Sequence, residues 1–193
     1  MAGCLIANQL TCARLTSPVT FTLNAGESLC VQGQNGSGKS TLLKILSGLR
    51  TPSYGELLWN NKPIDAHYRQ HIAYLGHASG LKTGLTIEEN WLSSLAIHQQ
   101  KPSMAFDTLL DLFHLPKHTC VANVSAGQQQ KAALAKCVLL KKRIWILDEP
   151  EANLDTDTKK ILINLMHTHL NEGGLLIISS HENPLIPSRA LHL

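Results

Sequence analysis

Short apolar, β-branched runs alternate along the chain with stretches of helical spacing. VTFTL (19–23) and SLCVQG (28–33) flank the turn signal Asn24-Ala25-Gly26, and both read as strands. KSTLLKILS (39–47) sets Leu42, Leu43, Ile45 and Leu46 around one broad helical face. Gly48 follows, where a helix end favours a residue tolerant of positive φ. GELLWN (55–60) and HIAYL (71–75) are two further short strands. WILD (145–148) and LLIISS (175–180) are continuous apolar runs, the pattern of strands covered on both faces. Between 86 and 142 the texture turns helical. Thr86-Ile87-Glu88-Glu89 has an N-cap followed by acidic residues, FDTLLDLFHL (106–115) stops at Pro116, and QQQKAALAKCVLL (128–140) is rich in helix formers. Residues 155–170 form another amphipathic helix, closed by Asn171-Glu172-Gly173-Gly174. Strands at both ends with helices between them predict a single α/β domain over residues 1–193, with a helical subdomain inserted at approximately 86–142.

Composition narrows this picture by exclusion. The chain has 193 residues, 44% hydrophobic and 16% charged, with a formal charge of +3. That suits one domain with a sizeable core and excludes a disordered chain. The longest apolar stretch, near 175–178, falls far short of the ~20 residues a bilayer demands. MAGCLIANQLTCARL has neither a basic start nor a long apolar region, so no secretion signal is expected. Five cysteines without a CxxC pair argue for a reduced protein with neither a disulfide framework nor a zinc site. The mild charge gives no case for nucleic acid. Lys136, Lys141, Lys142 and Arg143 form the only basic cluster, expected to be a solvated helix end.

Chemistry enters with Gly33-Gln34-Asn35-Gly36-Ser37-Gly38-Lys39-Ser40, which fits G-x-x-x-x-G-K-[ST] between a strand and a helix. Its glycines let the backbone wrap a phosphate chain, and the helix N-terminus adds positive potential. Lys39 would hold the β/γ phosphates of ATP, and the Ser40 hydroxyl would ligate Mg²⁺. The apolar strand at 144–147 ends in Asp148-Glu149-Pro150. Beside a phosphate loop, Asp148 would take the metal's water ligands and Glu149 would polarise the attacking water. Ser125-Ala126-Gly127-Gln128 opens a strong helix and could be a plain N-cap or a second anion site. Two phosphate-type sites beside one carboxylate pair mean either two ligands, or one ligand held between two copies of the chain. His181, after the last buried strand, is a candidate to contact a γ-phosphate.

The order of these segments carries a resemblance. GQNGSGKST (33–41), VSAGQ (124–128), WILDEP (145–150), ANLD (152–155) and SSH (179–181) resemble the Walker A, signature, Walker B, D-loop and H-loop motifs of ABC-type ATPases. The resemblance spans essentially the whole chain. It implies a P-loop NTPase fold of ABC type, a mixed or parallel sheet core with an inserted helical subdomain, and Mg²⁺-dependent ATP hydrolysis. It further implies a head-to-tail homodimer in which Ser125, Ala126, Gly127 and Gln128 of one copy cover the nucleotide bound at residues 33–41, Thr41 included, of the other. Asp155 would then lie at the dimer seam, and His181 would orient the γ-phosphate and water.

Three features depart from the family pattern. Ala126 replaces a glycine, His77 stands where the family has the Q-loop glutamine that contacts the metal, and residues 12–17 hold no aromatic to stack on adenine. With Gly80-Leu81-Lys82 and Ser125 to Gln129, His77 makes the chain most similar to the ATP-binding subunits of bacterial cytochrome c maturation, described as haem exporters. That implies a peripheral protein on the cytoplasmic side of the inner membrane, docked on integral permease subunits. No direct haem site and no nucleic-acid partner are expected. The alternatives are the ATPase of another ABC exporter, a small P-loop nucleotide kinase, and a soluble ABC protein acting on DNA or ribosomes. The scattered arginines do not suit the kinase, and the last would call for a coiled-coil insertion or paired ATPase domains.

Overall fold

The computed structural model describes residues 3–15, 17–181 and 184–193. Strands β1 (Cys4–Thr11), β2 (Val19–Asn24), β4 (Tyr54–Trp59) and β5 (Lys62–Pro63) form an antiparallel sheet in the order β2-β1-β4-β5. Strands β3 (Ser28–Gln32), β6 (Ile72–Leu75), β7 (Ile144–Asp148), β8 (Leu175–Ser180) and β9 (Arg189–His192) form a parallel sheet in the order β6-β7-β8-β3-β9. The turn at Asn24-Ala25-Gly26 therefore does not close a hairpin: β2 joins one sheet and β3 the other.

The helices are α1 (Lys39–Leu46), α2 (Ile87–Ile97), α3 (Phe106–Leu112), α4 (Ala126–Leu139) and α5 (Thr156–Asn171). Helix α1 is wedged between the sheets. Leu42, Leu43, Ile45 and Leu46 pack with Leu5 and Phe21 of the antiparallel sheet and with Val31, Ile146 and Ile177 of the parallel one. The alternate residues of the parallel strands, Cys30, Leu75, Trp145, Leu147 and Ile178, face a second core built with α2 to α5. Burial on both faces explains why β7 and β8 are continuous apolar runs rather than alternating ones.

Predicted boundaries shift where local geometry decides. Helix α3 ends at Leu112 rather than 115, because His114 takes φ 51°, outside helical space. Helix α4 starts at Ala126, two residues before the predicted Gln128. Strands β1, β5 and β9 are additions to the sequence reading. Gly48 takes φ 70° after α1, as its position after the helix suggests.

Candidate active site

The carboxyl ends of β3, β7 and β8 lie side by side, where open α/β sheets bind ligands. From β3 the chain runs through the glycine-rich turn 33–38 into α1. Gly38, the N-cap of α1, sits at φ 104°, and a Cβ there would come 2.8 Å from the Arg14 carbonyl oxygen. Only glycine meets both constraints. Helices α2, α4 and α5 are each capped by a side chain, from Thr86, Ser125 and Asp155. Helix α1 has no side-chain cap and no acid in its first turn, so its first N–H groups and positive dipole end stay open to an anion. Lys39 is buried, and its ammonium donates to the carbonyls of Gly33 (2.7 Å) and Gln34 (3.2 Å). Gln34, Asn35, Gly36 and Ser40 are exposed, while Thr41 is buried beneath the loop.

Asp148 closes β7 opposite Ser179 of β8 and is only 4% exposed. Ser179 Oγ donates to Asp148 Oδ1 at 2.6 Å and accepts from the Glu149 backbone N–H at 2.9 Å. The second oxygen, Asp148 Oδ2, is buried with no hydrogen-bond partner. Tyr74 Oη is likewise buried and unpartnered. Tyr74 pairs in register with Ile146, which puts it on the same sheet face as Asp148. Burial, and secondarily the Asp148 charge, push the Tyr74 phenol up to about 12. Buried orphan oxygens in native folds call for a donor, water or ion. A hydrated Mg²⁺ meets that demand at Asp148, and the exposed Ser40 hydroxyl offers a second oxygen. Among the described residues no group of three or more His, Cys, Asp or Glu side chains is arranged to hold a metal. A metal carried largely by a nucleotide's phosphates and water does not need one.

Glu149 follows at φ 49°, a left-handed conformation costing roughly 1–2 kcal/mol for a residue with a side chain. The hydrogen bond from its N–H to Ser179 helps hold it there. Its carboxylate Oε1 lies 2.5 Å from His181 Nε2, and His181 Nδ1 lies 3.4 Å from Lys39 Nζ. An ammonium can only donate, so Nδ1 accepts, and the imidazole proton sits on Nε2, pointed at Glu149. Lys39, His181 and Glu149 thus form one hydrogen-bonded chain across the start of α1 and the turns after β8 and β7.

The VSAGQ segment is built as a helix start. Ser125 and Gln128 form a capping box, with bonds of 3.1 and 3.0 Å. Ala126 is the first helical residue and is exposed, so its methyl group meets no obstacle. Gly127 is different: a Cβ would approach the Asn153 carbonyl to 2.8 Å. Gln130 Nε2 donates to the Pro150 carbonyl (3.3 Å), and Lys131 pairs with Asp155 at 2.6 Å. Asp155 also caps α5 by accepting from the Thr158 N–H at 2.8 Å. The Lys131 hydrogen bond, then that of Thr158, hold the Asp155 carboxyl well below the usual carboxylate range.

The structure therefore brings Lys39, Asp148, Glu149 and His181 together and braces the start of α4, through Gly127, Gln130 and Lys131, against residues 150–155. Among the described residues, no hydrogen bond or ion pair links Ser125 to Gln128 with the Lys39 cluster. His77 lies exposed in the bend after β6. Sequence reasoning passed over Ser179 as an anchor for both carboxylate residues. The signal was present, since LLIISS places a hydroxyl in an otherwise apolar buried strand.

The profile of the ABC transporter family matches residues 16–152. The cytochrome c biogenesis ATP-binding export protein CcmA of Pseudomonas aeruginosa is 37% identical over 175 residues, 88% of this chain and 86% of that one. The chain is a CcmA-type member of the ABC transporter family. As such it is an ABC-type ATPase. Solved ABC structures share its fold. A putative ABC transporter ATP-binding protein from Pyrococcus furiosus superposes with TM-score 0.84 at 24% identity, covering 98% of this chain and 97% of its own. A dimeric post-hydrolysis ATP-binding cassette bound to ADP and Pi superposes with TM-score 0.76 at 23% identity, covering 92% and 88%. Among the described residues, no helix of this ABC protein is long and apolar enough to cross a membrane.

Proposed function

We propose that this chain hydrolyses Mg²⁺-ATP as the peripheral, cytoplasmic-side subunit of an inner-membrane cytochrome c maturation complex of the haem-exporting kind. The observation that carries the catalytic part is the Lys39–His181–Glu149 chain of contacts beside the unpartnered Asp148 oxygen. Residues 33–41 would cradle the phosphates, with the open first turn of α1 and the Lys39 ammonium exchanging the Gly33 and Gln34 carbonyls for phosphate oxygens. Ser40 and Asp148 would hold Mg²⁺, with His77 entering the shell from the bend after β6. The metal, when bound, neutralises charge developing on the transferred phosphoryl group. Glu149 would release His181 and accept the proton of the attacking water, while the His181 Nε2–H turns to the γ-phosphate.

Head-to-tail pairing of two copies would bring Ser125 and Gly127 of one over the nucleotide of the other, with Asp155 at the seam. The solved dimeric cassette supports that geometry by its fold. Segment 86–142 is then the helical subdomain, and the permease is another polypeptide. The Pseudomonas relative supports the cytochrome c role through its name. Affinity purification of the tagged chain from membranes in mild detergent tests that role. Co-elution of cytochrome c maturation membrane subunits is expected, and an unrelated permease in their place would overturn the assignment.

A further inference from the structure

The basic cluster near 136–143 is not the uniformly solvated helix end its sequence suggests. Lys141 is exposed and pairs with Glu172 at 3.6 Å. Lys142, one residue on, is only 5% exposed, and no hydrogen bond or ion pair to it is found among the described residues. It lines a cavity of about 370 Å³ with Gln70 and His71 of the 3₁₀ turn before β6, and Ile97, His98, Gln99 and Gln100 at the end of α2. Lys142 also borders a second cavity, shared with Lys141 and Glu172, and its charge reaches both histidines of the first. Burial, and secondarily neighbouring positive charge, hold both His71 and His98 below the ordinary imidazole range. Lys142 contributes to that charge at each, joined by His67 and Arg143 at His71 and by Lys136 at His98.

Among the described residues, no carboxylate lines this cavity. Asp65 is the acid whose charge reaches His71, as the smallest of the influences on it, and Asp65 Oδ1 already accepts from the N–H groups of His67 (2.9 Å) and Tyr68 (3.0 Å). At the end of α2 the carbonyls of Ser94, Leu95 and Ala96 already accept from the N–H groups of His98, Gln100 and Gln99. Among the described residues the lining is thus an ammonium, two imidazoles, three amides and the Ile97 side chain, with no anion among them.

We propose that this cavity is a binding site for a phosphate-type oxyanion. Burial without a partner holds the Lys142 ammonium below its ordinary range, and an anion seated beside it would complete the charge. Donors arriving from the 3₁₀ turn, the α2 end and the start of β7 suit a tetrahedral ligand with oxygens in several directions better than a two-oxygen carboxylate. Inorganic phosphate, a phosphate monoester and a phospholipid headgroup share that chemistry. The site is distinct from the glycine-rich loop and stands apart from the proposed hydrolysis.

The test uses the full chain saturated with a non-hydrolysable ATP analogue, whose γ-phosphate position is filled, so that added phosphate does not register at the glycine-rich loop. Inorganic phosphate is titrated by calorimetry, with the His71 and His98 ring signals followed by NMR as local reporters. Wild type is compared with Lys142→Met, which keeps length and burial but removes the charge, and with His98→Gln. A one-site isotherm that moves both ring signals and weakens about tenfold or more in Lys142→Met supports a soluble ligand. Sedimentation with phosphatidylcholine vesicles carrying phosphatidate, and not with phosphatidylcholine alone, supports a headgroup if Lys142→Met loses it. Equal phosphate and vesicle binding by wild type and both variants, or no binding in either arm, overturns the site.

Discussion

At the scale of single residues, the site depends on hydroxyls and protons as much as on its charged groups. Ser179 is fully buried and serves both Asp148 and the Glu149 backbone. Ser179→Ala leaves a buried carboxylate oxygen and a buried N–H unpaired. A destabilisation of about 1–3 kcal/mol by urea unfolding, together with slowed hydrolysis, is the expected result. Asp155 gives a pH signature. Its carboxyl titrates lower in the fold than in the unfolded chain, so its contribution is complete above the unfolded value near 4 and is lost as pH falls towards the folded one. The melting temperature of Asp155→Asn should lie below wild type at neutral pH, with the gap closing below about pH 4. The motif residues Lys39, Asp148 and Glu149 were legible in the sequence because phosphate chemistry restricts which residue types can stand at that spacing. Ser179 left a trace as a hydroxyl in a buried strand, whereas Tyr74 and Lys142 left none, because strand register and tertiary burial give them their meaning.

At the scale of elements, helix starts were read well and strand edges poorly. Thr86 and Asp155 cap α2 and α5 through contacts three residues away, which short sequence windows reveal. Strand β1 escaped because CLIANQLT carries polar residues at Asn8 and Gln9, and its buried positions slip at Gln9, which takes φ 51°. Pairing with β2 and β4 makes it a strand. Helices α2 and α4 are fastened by Trp91 of α2, fully buried, whose indole donates to the Ala132 carbonyl of α4 at 3.0 Å. Trp91→Ala should cost about 3–5 kcal/mol in urea unfolding. Ser125→Ala removes the α4 cap and should cost about 1 kcal/mol. Ser125→Arg separates the two roles of that segment. If the α4 start acts on a partner's nucleotide, this variant binds ATP as wild type does yet fails to hydrolyse it, and loss of binding by the monomer would contradict a role in trans.

At the scale of the whole molecule, two sheets around α1 bring the ends of β3, β7 and β8 to one place, and α4 begins in the VSAGQ segment. In one chain, the Lys39 ammonium rests on its own loop and Glu149 on His181. Both would be freed by phosphate, and the second copy would complete the enclosure. Glu149→Gln in the presence of Mg²⁺-ATP tests this most directly, with hydrolysis and mass by light scattering followed together. The account predicts hydrolysis reduced by about 100-fold or more, with ATP retained and a particle of twice the monomer mass. Hydrolysis at the wild-type rate by a particle that stays monomeric would contradict it.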